Sequence, residues 1–189
     1  MRDSFALNAR QLAKQLQFPG PLDMGLDSGV FVQVRSNDES AQFFWDLAPM
    51  LETGGVRVVV EDAARLMHGD GLEHLGVLFA RSAGESRPIC AVDNSTFADC
   101  MADLMGRTPY TTALLLGGAQ RLQVEPDERI LSAIKAARDR VNLEPGMVGR
   151  FLIVATWLYP ANPSKYVENR RSAFYGATAM TLAYDEHNL

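Results

Sequence analysis

At 189 residues, with 47% apolar and 22% charged side chains, the chain is long enough to bury one sizeable core and has the balance of a folded globular protein. Its net charge of −5 excludes a surface that is basic all over, so any contact with nucleic acid must be a local patch. No apolar run is long enough to span a membrane, and the amphipathic start "MRDSFALNARQLAKQL" is unlike a signal peptide, so the expected location is the cytoplasm, at most at the inner face of the membrane.

Ala6 to Gln17 reads as a helix with Leu7, Leu12 and Leu16 on one side, followed by a Gly/Pro-rich loop. "VFVQVR" (Val30 to Arg35) alternates as a strand. Ser36 and Glu39 form a capping box that starts a helix reaching about Leu51, and Gly54-Gly55 ends it. "VRVVVE" (Val56 to Glu61) is a buried strand, so strand, long helix and strand make a crossover with the two strands parallel. Asp62 to Gly71 is a short helix and turn. "LGVLFAR" (Leu75 to Arg81) reads as a strand, "SAGES" as a turn and "RPICAVD" (Arg87 to Asp93) as the hairpin partner.

The next helix has Phe97, Cys100, Met101, Leu104 and Met105 on one face, Thr96 and Asp99 in the capping relation, and Gly106 as its stop. "YTTALLL" (Tyr110 to Leu116) follows as a strand, Pro126 to Asn142 as a surface helix and "VGRFLIVATWLY" as a long buried strand, with a helix as the alternative. "NPSKYVENRRSAFYG" opens a last helix. The expected fold class is α+β, one domain over residues 1–189 with a mixed sheet and packed helices.

Few residues carry an obvious chemistry. Cys90 and Cys100 read as reduced, buried thiols, and His68, His74 and His187 lack metal-ligand spacing. "LLLGGAQR" holds Gly117-Gly118 but lacks the Lys-Ser/Thr of a phosphate-binding Walker A loop. Glu125, Asp127 and Glu128 suit a helix start. The helix opening at Asp93-Asn94-Ser95-Thr96 offers free N–H groups and a positive dipole end, where a phosphate can sit; Asp93 would carry its Mg²⁺. Arg107, at the far end, suits the helix dipole or a phosphate. Lys165, Arg170 and Arg171, interleaved with Tyr166, Phe174 and Tyr175, suit a nucleic-acid backbone, although a solvated face over a core stripe explains them as simply.

The order of elements from about Glu61 to Leu116 resembles the core of the ParB/sulfiredoxin superfamily. "DAARLMHGDGLEHLGVLFAR" is similar to its leading helix and strand, and "VDNSTFADCMADLMGRTPYTTALLL" to its phosphate loop, helix, "TVP"-like turn and last strand. Asp93 falls on the ParB-like glutamate and Ala98 on the helix alanine. Val92 replaces a family glycine, Asn94 and Ser95 replace basic residues, and the loop holds no cysteine for sulfiredoxin chemistry. The resemblance implies a ParB/sulfiredoxin-like core with N- and C-terminal extensions, with Mg²⁺ or another divalent metal as cofactor and ATP as ligand or substrate. It implies a metal-assisted DNase or ATPase in which Asp93, Asn94 and Ser95 are catalytic, Asp93 holds the metal, and Asn94, Ser95, Thr96 and Arg107 take the phosphate. With the chain length it further resembles plasmid fertility-inhibition proteins. Those suppress conjugative DNA transfer through a type IV secretion system, here as a homo-oligomer contacting the transferred single strand of DNA. The alternative is a non-catalytic protein that binds and blocks a transfer coupling protein.

Overall fold

The computed structural model describes residues 2–17, 29–67, 69–85, 94–108, 110–123, 128–146 and 149–182. In chain order its elements are α1 (Arg2–Gln17), β1 (Val30–Val34), α2 (Asn37–Thr53), β2 (Arg57–Asp62), α3 (Ala63–Leu66), α4 (Gly71–Ser82), α5 (Asn94–Arg107) and β3 (Thr112–Gly117). A 3₁₀ turn (Ala119–Gln123), α6 (Glu128–Leu143), β4 (Phe151–Leu158), α7 (Pro163–Val167) and β5 (Thr178–Thr181) complete the list. No helix among the described residues is long and apolar enough to cross a membrane.

The strands form one sheet in the order β2-β3-β4-β1-β5, and every pairing among them is parallel. A parallel sheet must be covered on both faces, and the sequences of β3 and β4 show why this one is. In β3, Ala113 and Leu115 enter the core shared with α1 and α2, while Leu114 and Leu116 enter the core under α3 to α7. In β4, Leu152 and Val154 take the first side, and Phe151, Ile153, Ala155 and Trp157 the second. In β1, Val30, Val32 and Val34 face α2, and Phe31 faces the opposite core. α2 is capped as its sequence requires, Ser36 Oγ accepting from the Glu39 N–H at 3.1 Å. It ends at a Gly54-Gly55 turn in which Gly55 takes φ +81°.

These findings correct the expected fold. Helices packed on one sheet are as expected; the sheet is parallel rather than mixed, which makes the architecture α/β. Leu75 to Arg81 lies inside the helix α4, with Leu75, Gly76, Phe79 and Ala80 buried at helical spacing. The hairpin therefore loses its first strand; Arg87 to Asp93, with Cys90, lies outside the described residues. β1 and β2 are parallel as expected but not adjacent, since β4 and β3 lie between them. The last helix stops at Val167, and Arg170 and Arg171 sit in the turns after it. α5 is helical from Asn94, so Thr96 lies within the helix rather than at its cap. Its apolar face is as expected: Phe97, Met101, Leu104 and Met105 are buried and Cys100 is half-buried.

On α6, Arg138 and Lys135 both hydrogen-bond the Asp139 carboxylate. Partial desolvation would raise the pKa of that carboxyl, but the two cations outweigh it and hold it below 3.8. A depressed carboxyl contributes stability above its unfolded pKa and loses it as pH falls through its folded one. Asp139→Asn is therefore expected to melt below wild type at neutral pH. The gap should close as pH drops below about 4, read from melting temperatures across a pH series.

Candidate functional site

In an open parallel sheet, ligands bind beyond the carboxyl ends of the strands, where neighbouring connections leave in opposite directions. Here that point lies between β1 and β4, since the chain leaves β1 for the distant edge strand β2 and leaves β4 for β5 on the other side. α2 starts directly above it. Between Val34 and Asn37 stand only Arg35 and Ser36.

Protein groups bridge this crevice. Ser40, in the first turn of α2, shares a buried 2.6 Å hydrogen bond with Thr156 on β4. The Gly118 N–H, just past β3, donates to the same Thr156 hydroxyl at 3.1 Å. Glu39 turns back on Arg35, accepting from its backbone N–H and from its guanidinium. The turn after β4 is tied to β1 twice: Tyr159 N–H donates to the Val34 carbonyl at 2.8 Å, and Gln33 Nε2 to the Ala161 carbonyl at 2.8 Å. Gln120 Oε1 accepts from the Leu158 N–H at 3.1 Å. At the β2 end, Asp62 caps α3 and pairs with Arg121 at 3.1 Å, while the buried Glu61 is held by His74.

No family model and no curated protein matches the chain. Among solved structures it is similar to the Aeropyrum pernix Orc1 protein, which was solved in complex with DNA. The TM-score is 0.66 at 9% identity, over 97% of this chain and 46% of that one. The match to C. elegans PCH-2 has a TM-score of 0.48 at 11% identity, over 96% and 42% of the two chains. The chain shares its fold with that part of the Orc1 structure. It spans about half the length of the Orc1 chain, with 46% covered. The ParB/sulfiredoxin core is thereby overturned, and with it the fertility-inhibition function that rested on it.

Nucleotide and Mg²⁺ at such a crevice would make definite demands on the residues around it. A P-loop is a strand, GxxxxGK[ST] and a helix, with backbone N–H groups and a lysine around the phosphates. Between Val30 and Thr53 the chain has neither glycine nor lysine, and its lysines are Lys14, Lys135 and Lys165. A two-residue connection has no length to wrap a phosphate. Asp38 and Glu39 fill the first turn of α2 with negative charge where a phosphate would need the dipole alone.

P-loop ATPases hold Mg²⁺ with a P-loop hydroxyl and a Walker-B acid. The group that approaches Ser40 from the end of β3 is Gly117: a Cβ there would sit 3.6 Å from Ser40 Oγ, so a side chain would face that hydroxyl. Gly117 supplies none. These residues do not fit ATP and Mg²⁺.

The sequence-derived candidates fall elsewhere. Asp93 lies outside the described residues. Asn94 and Ser95 open α5 and Thr96 is half-buried in it. α5 packs in the core opposite α2, on the other face of the sheet from Ser40. Arg107 is about 20 Å from Asn94 by helical rise and pairs with Asp103 at 3.0 Å and Glu85 at 3.3 Å. Lys165, Arg170 and Arg171 are exposed around α7. Ser40 and Thr156 escaped sequence reasoning, and Gly117-Gly118 stood out only as a glycine pair, because no local motif marks this position. The remaining signal was Ser36 capping a helix straight after an alternating strand.

Proposed function

We propose that this chain is a AAA+-fold module that works by binding and does not hydrolyse ATP, with nucleic acid as its class of partner. The observation carrying the reading is the closed crevice. Its hydroxyls bond each other, its strand-to-helix connection is too short for phosphate, the helix turn after it carries Asp38 and Glu39, and glycine stands where the metal-binding acid would be. Electrostatic stabilisation of phosphoryl transfer needs cations and donors aimed at the transferred group, and the crevice supplies neither. The DNA in the Orc1 structure and the exposed cations around α7 support nucleic acid as the partner.

Purified protein is expected to release no phosphate from ATP above the buffer blank, with or without Mg²⁺ and DNA. Calorimetric titration with ATP and Mg²⁺ is expected to give no saturable heat. Turnover that disappears in Ser40→Ala would overturn the reading. Saturable binding without turnover, lost in Asp93→Ala, would instead place a nucleotide at the start of α5.

A further inference from the structure

Resting on that reading, we propose that the chain binds single-stranded nucleic acid through α7 and the turns after it, with Lys165, Arg170 and Arg171 on phosphates and Tyr175 stacked on a base. The segment is built as a rigid platform. Asn162 caps α7 by accepting from the Ser164 N–H at 2.8 Å. After the helix, Ser172 N–H donates to the Asn169 carbonyl at 2.9 Å, Gly176 N–H to the Val167 carbonyl at 2.9 Å and Ala177 N–H to the Phe174 carbonyl at 3.1 Å. The Arg171 N–H donates to Asn169 Oδ1 at 3.0 Å. Gly176 takes φ +82°, which lets the chain turn into β5. Phe174 pins the turn to the sheet, its ring 5.1 Å from that of Phe31 on β1.

What this platform shows to solvent has one character. Lys165, Arg170 and Arg171 are exposed, and none of them ion-pairs with a described residue, whereas Arg35, Arg65, Arg107, Arg121 and Arg140 do. Glu168 is the lone acid between Pro163 and Gly176. Unneutralised cations held by a fixed backbone attract a polyanion. A protein partner would want an apolar centre to its interface, and the exposed neighbours here are Glu168, Asn169 and Gly176. The one large exposed side chain with an apolar face is Tyr175, at 53%. An exposed ring beside cations suits unstacked bases, and a duplex hides its base faces.

The test is fluorescence anisotropy with a labelled oligothymidine and a duplex of equal length, over a salt series, with circular dichroism to confirm folding. Wild type is expected to prefer the single strand. Arg170→Ala with Arg171→Ala should flatten the salt slope by about 1.4 log units per log unit of salt, two phosphate contacts' worth. Tyr175→Ala should weaken binding about ten-fold or more at unchanged slope, and Tyr175→Phe should restore it. Binding that these variants leave unchanged would remove the interface from this segment while keeping a nucleic-acid module. Equal or tighter binding of the duplex would overturn the single-strand preference. No binding of either at low salt, with an acidic peptide bound instead, would overturn the partner class in both proposals.

Discussion

Phe31→Ala is expected to destabilise the protein by about 3–5 kcal/mol. Phe31 is 0% exposed and is the residue of β1 that faces the larger core. Its ring meets Trp157 at 5.6 Å and Phe174 at 5.1 Å, both edge-on, and Tyr166 at 5.7 Å. These partners come from β4, α7 and the turn before β5. Truncation removes the transfer free energy of a buried ring, leaves a cavity that rigid strands cannot close, and forfeits edge-to-face contacts worth about 0.5–1.5 kcal/mol each. A domain has about 5–15 kcal/mol in all, so the change takes a large share of it. The midpoint of urea unfolding should fall at unchanged m-value. A loss under about 1 kcal/mol would mean that the four rings do not form one packed cluster. The basic turn is anchored through Phe174, so nucleic-acid affinity is expected to weaken with stability.

Thr156→Val is expected to cost about 2 kcal/mol or more, although valine has nearly the same shape. Thr156 is 0% exposed and its hydroxyl serves both Ser40 and the Gly118 N–H. Valine leaves both polar groups buried without that partner, and each orphan costs about 1–3 kcal/mol. Ser40→Ala should be milder, about 1 kcal/mol, because Thr156 keeps Gly118. The double variant should cost less than the two single changes added, since alanine at position 40 removes one of the groups that valine orphans. A coupling of about 1 kcal/mol is expected from the cycle, measured by chemical denaturation. Strict additivity would show that Ser40 and Thr156 do not share a hydrogen bond, and the closed crevice would lose its central tie. ATP with Mg²⁺ is expected to shift the melting temperature of neither variant.

The strand expected at "LGVLFAR" is part of a helix in the structure. A short apolar run fits a buried strand and a buried helix equally well, and periodicity within it does not separate them. Extending the window to Leu72 would have helped: Leu72, Leu75 and Phe79 fall on one helical face, and Leu75 and Phe79 are 0% exposed in α4. Taken as a strand, the run makes a hairpin, and that hairpin underlies the ParB/sulfiredoxin resemblance; the site at Asp93 rests separately on the helix start beside it. Ser36 and Glu39 account for the start of α2 by themselves, so the sequence gives no second reason to look at the crevice beneath that start.

What the sequence by itself determined is local. Ser36 before a run of helical spacing started α2, alternation placed β1, and the unbroken apolar runs of β3 and β4 required elements covered on every side. Each of these follows from neighbours within a few residues, where backbone geometry and side-chain period act directly. The strand order β2-β3-β4-β1-β5 was decided only by the tertiary structure, because any of these apolar strands satisfies the same local rules beside any other. The crevice depends on that order. Ser40 and Thr156 lie 116 positions apart and Gly118 and Thr156 lie 38 apart, so no local pattern records that they meet. They meet because β4 lies between β1 and β3, which brings the end of β4 beneath the start of α2 and beside the turn after β3.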